Sequence, residues 1–224
     1  MDDTFKIAFV LAYGYLLGSV PAAYIVGRMV KGVDIREVGS GTVGSSNVFF
    51  NVSKVWVVPL GVFDLFVKGL SPIYVARGLG LDIEVQAVAG LLAVVGHNWP
   101  LFLGFKGGRG VAPTIGVLIG IARMELALVI VLAAAGWGYT KDSPAWVLVS
   151  FVSLPVAALL WGRPTAVVLA LAGLLLIAVV KRLASNRLRA EGVSTGRLLF
   201  NRLVFDRDIR DRDAWMGRDA SSQG

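Results

Sequence analysis

Residues 95–114 read VGHNWPLFLGFKGGRGVAPT, and the nature of the whole chain turns on them. An apolar run gives way to Phe105-Lys106-Gly107-Gly108-Arg109-Gly110 and then turns apolar again. Glycine lets a backbone come close to a ligand and aim its N–H groups inward. Lysine and arginine add charge, and a helix starting near Val111 would add its positive end. Such a segment suits an anion at the edge of a membrane. A plain glycine-rich connection whose cations hold it on the cytoplasmic side fits the same letters.

Outward from this stretch the chain is too apolar for an ordinary soluble domain. Hydrophobic residues make up 56% and charged residues 17% of the sequence, with a mean hydropathy of +0.72. This is the balance of an integral membrane protein. Cysteine is absent, which excludes disulfides, thiolate catalysis and thiolate metal sites, and a single histidine excludes a multi-histidine metal centre. No metal or other cofactor is called for. The net charge of +7 comes without zinc spacings or an aromatic-basic platform, so nucleic acid is not an expected partner. The start, MDDTFK, is not basic and leads into a long apolar run without an obvious cleavage site, as a first membrane helix does.

Seven apolar segments follow, at 5–26, 55–75, 85–105, 111–122, 126–139, 145–161 and 166–180. A crossing normally takes about 20 residues. The fourth and fifth segments are short, so they would border a thinned region or form one interrupted helix. Charge decides between these. With seven crossings, the loops 27–54 and 106–110, the Lys141 loop and the tail from Lys181 share one side. All 22 Lys and Arg then lie on that side except Lys6, Arg77, Arg123 and Arg163 on the other, and Lys68 inside the second segment. Positive charge concentrates in cytoplasmic loops. The expectation is an all-α seven-span bundle, N-terminus outside and C-terminus cytoplasmic, in a bacterial plasma (inner) membrane. Residues 1–192 would form the bundle, and 193–224 a charged, partly disordered tail, since the run FDRDIRDRD is of the kind that stays solvated.

Polar residues stand out against this background. The loop 31–51, KGVDIREVGSGTVGSSNVFFN, carries Asp34, Arg36 and Glu37, then two Gly-Ser turns with Ser40 and Ser46, ending at Asn47. That exceeds what a solvated turn requires and reads as a ligand-binding loop. Asp64 and Lys68 stand four apart on one helical face inside a span, where charges need a partner or a polar cavity. An ion pair that fixes packing and a contact to substrate both satisfy this. His97, near the end of the third span, suits proton transfer or a hydrogen bond to a loop carbonyl. Ser143 and Lys141 are weaker candidates. Trp56, Trp99, Trp137, Trp146 and Trp161 fall near span ends, as an interfacial belt does.

Three groups of residues together resemble the bacterial membrane acyltransferases that move an acyl group from acyl-phosphate to glycerol 3-phosphate. They are Gly18-Ser19-Val20-Pro21 with Asp34-Ile35-Arg36 through Gly39-Ser40-Gly41 and Asn47; Asp64 with Lys68-Gly69; and Gly96-His97 through Pro100 and Phe105–Ala112. Their order and spacing cover the chain to about Gly192. The resemblance implies a cytoplasm-facing site built from the polar loop, the glycine-rich loop and the segment after the last span. It also shows departures. Thr42 stands where the family's GSGN loop has its asparagine, Phe50 where an arginine follows the later Asn, and Arg109 where the glycine-rich loop has a lysine. After the last span the best register gives Leu183, Asn186 and Arg189, so the family's histidine is missing. Arg109 can grip phosphate more rigidly than lysine. An arginine lost at Phe50 removes a contact worth ~1.5–3 kcal/mol, roughly ten- to a hundredfold in affinity.

On this basis the expected reaction is direct acyl transfer to glycerol 3-phosphate, giving lysophosphatidate for phospholipid synthesis. No cysteine or GxSxG elbow offers an acyl-enzyme nucleophile. Ser40, Lys106, Gly107, Gly108, Arg109 and Arg189 would bind phosphate. Ser46, Asn47 and Asn186 would orient the acceptor or steady the oxyanion, with His97 polarising the site and the leaving phosphate taking the hydroxyl proton. Asp34, Arg36, Asp64, Lys68 and Ser143 would support them. Acyl-phosphate, glycerol 3-phosphate and membrane lipid are the expected partners, and a monomer is compatible with this layout. Two rivals are a paralogue acylating another acceptor, favoured by a more apolar pocket at Phe50 and Leu183, and a non-catalytic membrane protein that binds lipid or a partner.

Overall fold

A computed structural model describes residues 2–141, 143–184, 193–211 and 215. Among them the regular structure is entirely helical. α1 (Asp3–Gly18) and α2 (Ala22–Lys31) form one apolar run broken at Pro21; α2 extends past the expected end of the first span to Lys31, where Gly32 closes it in the left-handed conformation. The polar loop follows and contains the short α3 (Ser45–Asn51). α4 (Val57–Val62), a π-helical stretch (Phe63–Leu70) and α5 (Ser71–Gly78) make the second run. Pro72 has no N–H to return to the preceding turn, and the Ser71 hydroxyl donates to the Val67 carbonyl there. The widened turn carries both Asp64 and Lys68, as wide turns in helices often do at functional positions.

α6 (Ile83–Asn98) runs into a 3₁₀ turn (Leu101–Leu103). α7 (Val111–Ile121), α8 (Arg123–Thr140), α9 (Ser143–Leu160) and α10 (Thr165–Leu183) complete the bundle, and α11 (Thr195–Phe205) lies beyond it. Six runs are long and apolar enough to cross a membrane: Asp3–Lys31, Val57–Gly78, Ile83–Leu103, Arg123–Thr140, Ser143–Leu160 and Thr165–Leu183. The fifth segment, expected to be short, is a helix of 18 residues, because Arg123 and Glu125 are taken into its first turn. Only the fourth remains short. α7 has 11 residues and, at about 1.5 Å each, rises about 16 Å.

Helices approach closely where side chains vanish. A Cβ on Gly18 would strike the Ala93 carbonyl, bringing α1 onto α6, and one on Gly116 would strike the Leu65 carbonyl, bringing α7 onto the π-helical turn. The main core lies among α5, α6, α7, α9 and α10, with Ile73, Val94, Leu118, Leu154 and Leu171 buried. A second cluster, Val26, Ile35, Val48, Leu60 and Leu103, packs the polar loop against the end of α6. Burial of these apolar groups is what allows an irregular, polar loop to hold one position.

Candidate active site

The polar loop is held from within. Both Arg28 and Arg36 reach the Asp34 carboxylate, Arg36 Nη2 at 2.6 Å, and both guanidinium groups lie over the Tyr24 ring. The bonded Arg36 guanidinium holds Asp34 below the usual carboxylate range. Arg36 also donates to the Leu103 carbonyl, which joins this loop to the end of α6. Asn47, expected to orient the acceptor, faces inward. Its amide nitrogen donates to the carbonyls of Ile35, Val38 and Thr42, and its oxygen accepts from Asn51. Fully buried, it templates the loop and lines neither cavity described below.

The glycine-rich loop lies against α6. Gly107 N–H donates to the Asn98 carbonyl, Gly108 N–H to the His97 carbonyl, and the Gly107 carbonyl accepts from Val43. The expectation that Gly107 and Gly108 point their N–H groups at phosphate is therefore corrected: α6 ends there, and its orphan carbonyls take them. Lys106 is exposed and lines neither cavity described below. Arg109 does turn inward, where Nη1 donates to the Lys181 carbonyl at 2.9 Å.

Two adjoining cavities lie between these loops and the start of α9. The first, about 310 Å³, is lined by Ser40, Thr42, Ser46, Arg109, Lys141 and Ser143, among others. The Ser40 and Thr42 hydroxyls are hydrogen-bonded to one another at 2.8 Å. The second, about 230 Å³, shares Ser46, Arg109 and Ser143 and reaches Asp64 and His97 on one side and Val111, Ala112 and Val147 on the other. Four separate chain segments, from the polar loop to the start of α9, thus converge. Neither Phe50 nor Leu183 lines either cavity. Phe50 stands on the exposed face of α3 beside Phe49, and the Leu183 carbonyl accepts from Arg202. The apolar pocket expected from these two replacements does not form. Asn186 and Arg189 lie outside the described residues.

Asp64, Lys68 and His97 form a buried cluster behind the second cavity. Lys68 Nζ lies 2.7 Å from Asp64 Oδ1 and 3.3 Å from His97 Nδ1, while Nδ1 is 3.6 Å from that carboxylate oxygen. Nδ1 thus faces both members of the pair, the Lys68 ammonium and the Asp64 carboxylate. Nε2 lies against the bare Cα of Gly108, where a Cβ would overlap it. Of the two open readings of the Asp64–Lys68 pair, the internal ion pair is present, and it packs against the histidine.

One element has no counterpart in the sequence expectation. Part of the charged tail is packed against the bundle. Asn201 and Asp208 are buried, as is Arg207 at 8% exposed, and Asp206 lies 3.1 Å from Arg109 Nη1. α11 ends at Asp206 in the left-handed conformation, its N–H returning to the Arg202 carbonyl, and this turn sets Asp206 and Arg207 along the first cavity. Burial pushes the Asp206 carboxyl above the ordinary carboxylate range, against the pull of Arg109 and Arg182. A run of alternating charge gives no periodic signal of such burial.

The sequence profile described as glycerol-3-phosphate acyltransferase matches residues 8–191. Glycerol-3-phosphate acyltransferase 4 of Dehalococcoides mccartyi is 39% identical over 224 residues, covering 93% of this chain and 92% of its own. A glycerol-3-phosphate acyltransferase of Gloeobacter violaceus is 39% identical over 161 residues, covering 68% and 76%. Among solved structures, PlsY (YgiH), an integral membrane glycerol 3-phosphate acyltransferase in its glycerol 3-phosphate form, superposes with a TM-score of 0.72 at 29% identity over 79% of this chain and 88% of that one. The lysophosphatidic acid form gives 0.70 at 27%. These matches extend over the bundle, both loops and the cavities between them, and the chain belongs to the glycerol-3-phosphate acyltransferase family.

Proposed function

We propose that this protein transfers an acyl group from acyl-phosphate to glycerol 3-phosphate at the paired cavities, making lysophosphatidate. The observation that carries this is the meeting of Ser40, Ser46, Arg109 and Ser143 on one charged cavity that opens into a second, more apolar one reaching His97. In this reading the charged cavity takes phosphate, held by Arg109 and the hydroxyls of Ser40 and Ser46. The acyl carbonyl sits in the second cavity, where the first turn of α7, Val111 and Ala112, favours negative charge and His97 donates from Nε2. The acceptor hydroxyl attacks the carbonyl carbon, the bond from carbon to phosphate oxygen breaks, and phosphate leaves with the electron pair. In this reading His97 keeps a proton on Nε2 and acts as donor, and the hydroxyl proton passes to the departing phosphate. Proximity and charge neutralisation supply the acceleration, with no acyl-enzyme.

Seven crossings with a cytoplasmic C-terminus in the inner membrane belong to the same proposal. One cavity is lined from the polar loop, the glycine-rich loop, Lys141 and the tail, so all four lie at one end of the bundle. α8 runs from the far end back to Lys141, which leaves α7 to complete the seventh passage despite its length. That common end also holds most of the Lys and Arg. A monomer, with Asn186 and Arg189 as ligands of the same phosphate, belongs to this proposal as well.

The decisive assay supplies purified protein with acyl-phosphate and glycerol 3-phosphate and looks for lysophosphatidate. Product with other acceptors but none with glycerol 3-phosphate would replace this reading with a paralogous one. No acyl transfer to any acceptor would leave a lipid-binding protein.

A further inference from the structure

Beyond the last membrane run, residues 193–211 form a strap that is fastened by buried groups. Arg182 donates to the Leu203 carbonyl at 2.8 Å and to that of Pro144 at 2.8 Å, which ties α11 to the start of α9 and the end of α10. Arg202 binds the Leu183 carbonyl and the Asp208 carboxylate, the latter at 2.6 Å, and Asn201 donates to the Asp208 carbonyl. Charges withdrawn from water this far must be paired to be tolerated, and here they are. The strap therefore has a definite place, one wall of the first cavity, to which it contributes Phe205, Asp206 and Arg207. The family profile ends at residue 191, whereas the match to the 39%-identical relative covers 93% of the chain and so takes in this wall.

Charge gives the wall a purpose. Arg109, Lys141 and Arg207 bring guanidinium and ammonium groups to that cavity, and Asp206 brings a carboxylate. A phosphate monoester carries about −1.5 to −2 at pH 7. The strap adds one group of each sign, Asp206 and Arg207, so it leaves the net charge of the lining unchanged and sets where the cations stand. Phe50 is not among the residues that line this cavity. Arg207 is already oriented to bind an anion. Its Nε donates to the Arg210 carbonyl at 2.9 Å, its guanidinium carbon lies 5.5 Å from the Phe205 ring, and a planar fork held this way matches phosphate oxygens.

We propose that the C-terminal strap is part of the substrate site, with Arg207 binding a substrate phosphate opposite Ser40 and Arg109, and Asp206 positioning Arg109. This rests on the acyltransferase reading, and the shared chemistry is a phosphate group, carried by the acceptor or by the acyl-phosphate donor. The test compares wild type, Arg207→Gln and Arg207→Lys with each substrate varied in turn. Arg207→Gln is expected to raise KM for one of the two substrates by roughly ten- to a hundredfold, with kcat within a few-fold. Arg207→Lys should recover most of that loss. The substrate whose KM moves identifies the phosphate. Unchanged KM values for both substrates overturn the proposal, and so does a gain in kcat/KM, which would make the strap a plug. Arg207→Met serves for the same reading where the glutamine variant does not fold. Should wild type show no turnover, the acyltransferase reading fails by itself. Protection by inorganic phosphate against thermal unfolding then decides the strap: lost in Arg207→Gln it stands, retained it falls.

Discussion

The Asp206 carboxylate meets Arg109 Nη1 at 3.1 Å, joining the end of the strap to the glycine-rich loop across 97 residues of sequence. Arg109 also binds the Lys181 carbonyl at the end of α10. One guanidinium thus ties together the loop after α6, the last membrane helix and the strap, while still lining both cavities. A lysine at this position would bring the charge and lose the fork. Arginine is the residue that can grip two protein segments and still present an edge to an anion.

Arg109→Lys should therefore keep part of the activity and Arg109→Ala very little. Removal of a charge-assisted contact to phosphate costs about 1.5–3 kcal/mol, or roughly ten- to a hundredfold in substrate affinity. The measurement is kcat/KM for lysophosphatidate formation, with a folded monodisperse protein as control. An alanine variant as active as wild type would remove Arg109 from the site.

Asp34 provides a prediction about pH. Its carboxylate is held below the usual range by Arg36, so the folded pKa lies under the unfolded value of about 3.9. The stabilisation is complete above that unfolded value and is lost as pH falls through the folded pKa. Asp34→Asn should lower stability by about 1–3 kcal/mol at neutral pH. The gap between variant and wild type, read as unfolding temperature in detergent, should narrow below about pH 4. A gap that widens on acidification would contradict the clamp.

The buried pair predicts an asymmetry between single and double replacement. Asp64 and Lys68 lie 2.7 Å apart with side chains 4% exposed. Removing one partner strands a buried charge and should cost about 3–5 kcal/mol, whereas Asp64→Leu with Lys68→Met should cost far less. The double variant should nonetheless lose activity, because His97 Nδ1 loses both of its polar neighbours. Thermal unfolding and turnover together check this. A double variant as active as wild type would confine the pair to packing.

Much of this was legible in the letters, and the reason differs from part to part. Long apolar runs announce membrane helices by composition, so every expected segment contains a helix, and Ser40, Ser46 and Arg109 could be assigned to one face by charge alone. Direction within a loop is another matter. Nothing in the letters distinguishes an Asn47 that faces a ligand from one that templates its own loop, and the N–H groups of Gly107 and Gly108 turn to α6 because that helix ends there. A mixed-charge run such as FDRDIRDRD reads as solvated by composition, and the partners that hold the strap, Arg109, Arg182 and Leu183, come from other segments. Local sequence cannot announce a long-range pairing of that kind.

Gly108 isolates the role of His97 without touching the histidine. Its N–H is fixed to the His97 carbonyl, and the space a Cβ would need is filled by His97 Nε2 and the Val43 carbonyl. Gly108→Ala must push the imidazole aside or lift the glycine-rich loop from the polar loop. Either shift displaces a donor in the second cavity, and misplacement by about 1 Å can cost on the order of a hundredfold in rate. The expectation is a fall in kcat of roughly ten- to a hundredfold with a smaller change in KM for glycerol 3-phosphate, since Arg109 and Ser40 are left in place. Gly61→Ala is the control: a helical glycine where a Cβ meets nothing within 4 Å should retain full activity. Equal activity of the two variants would mean that His97 Nε2 takes no part in the transfer.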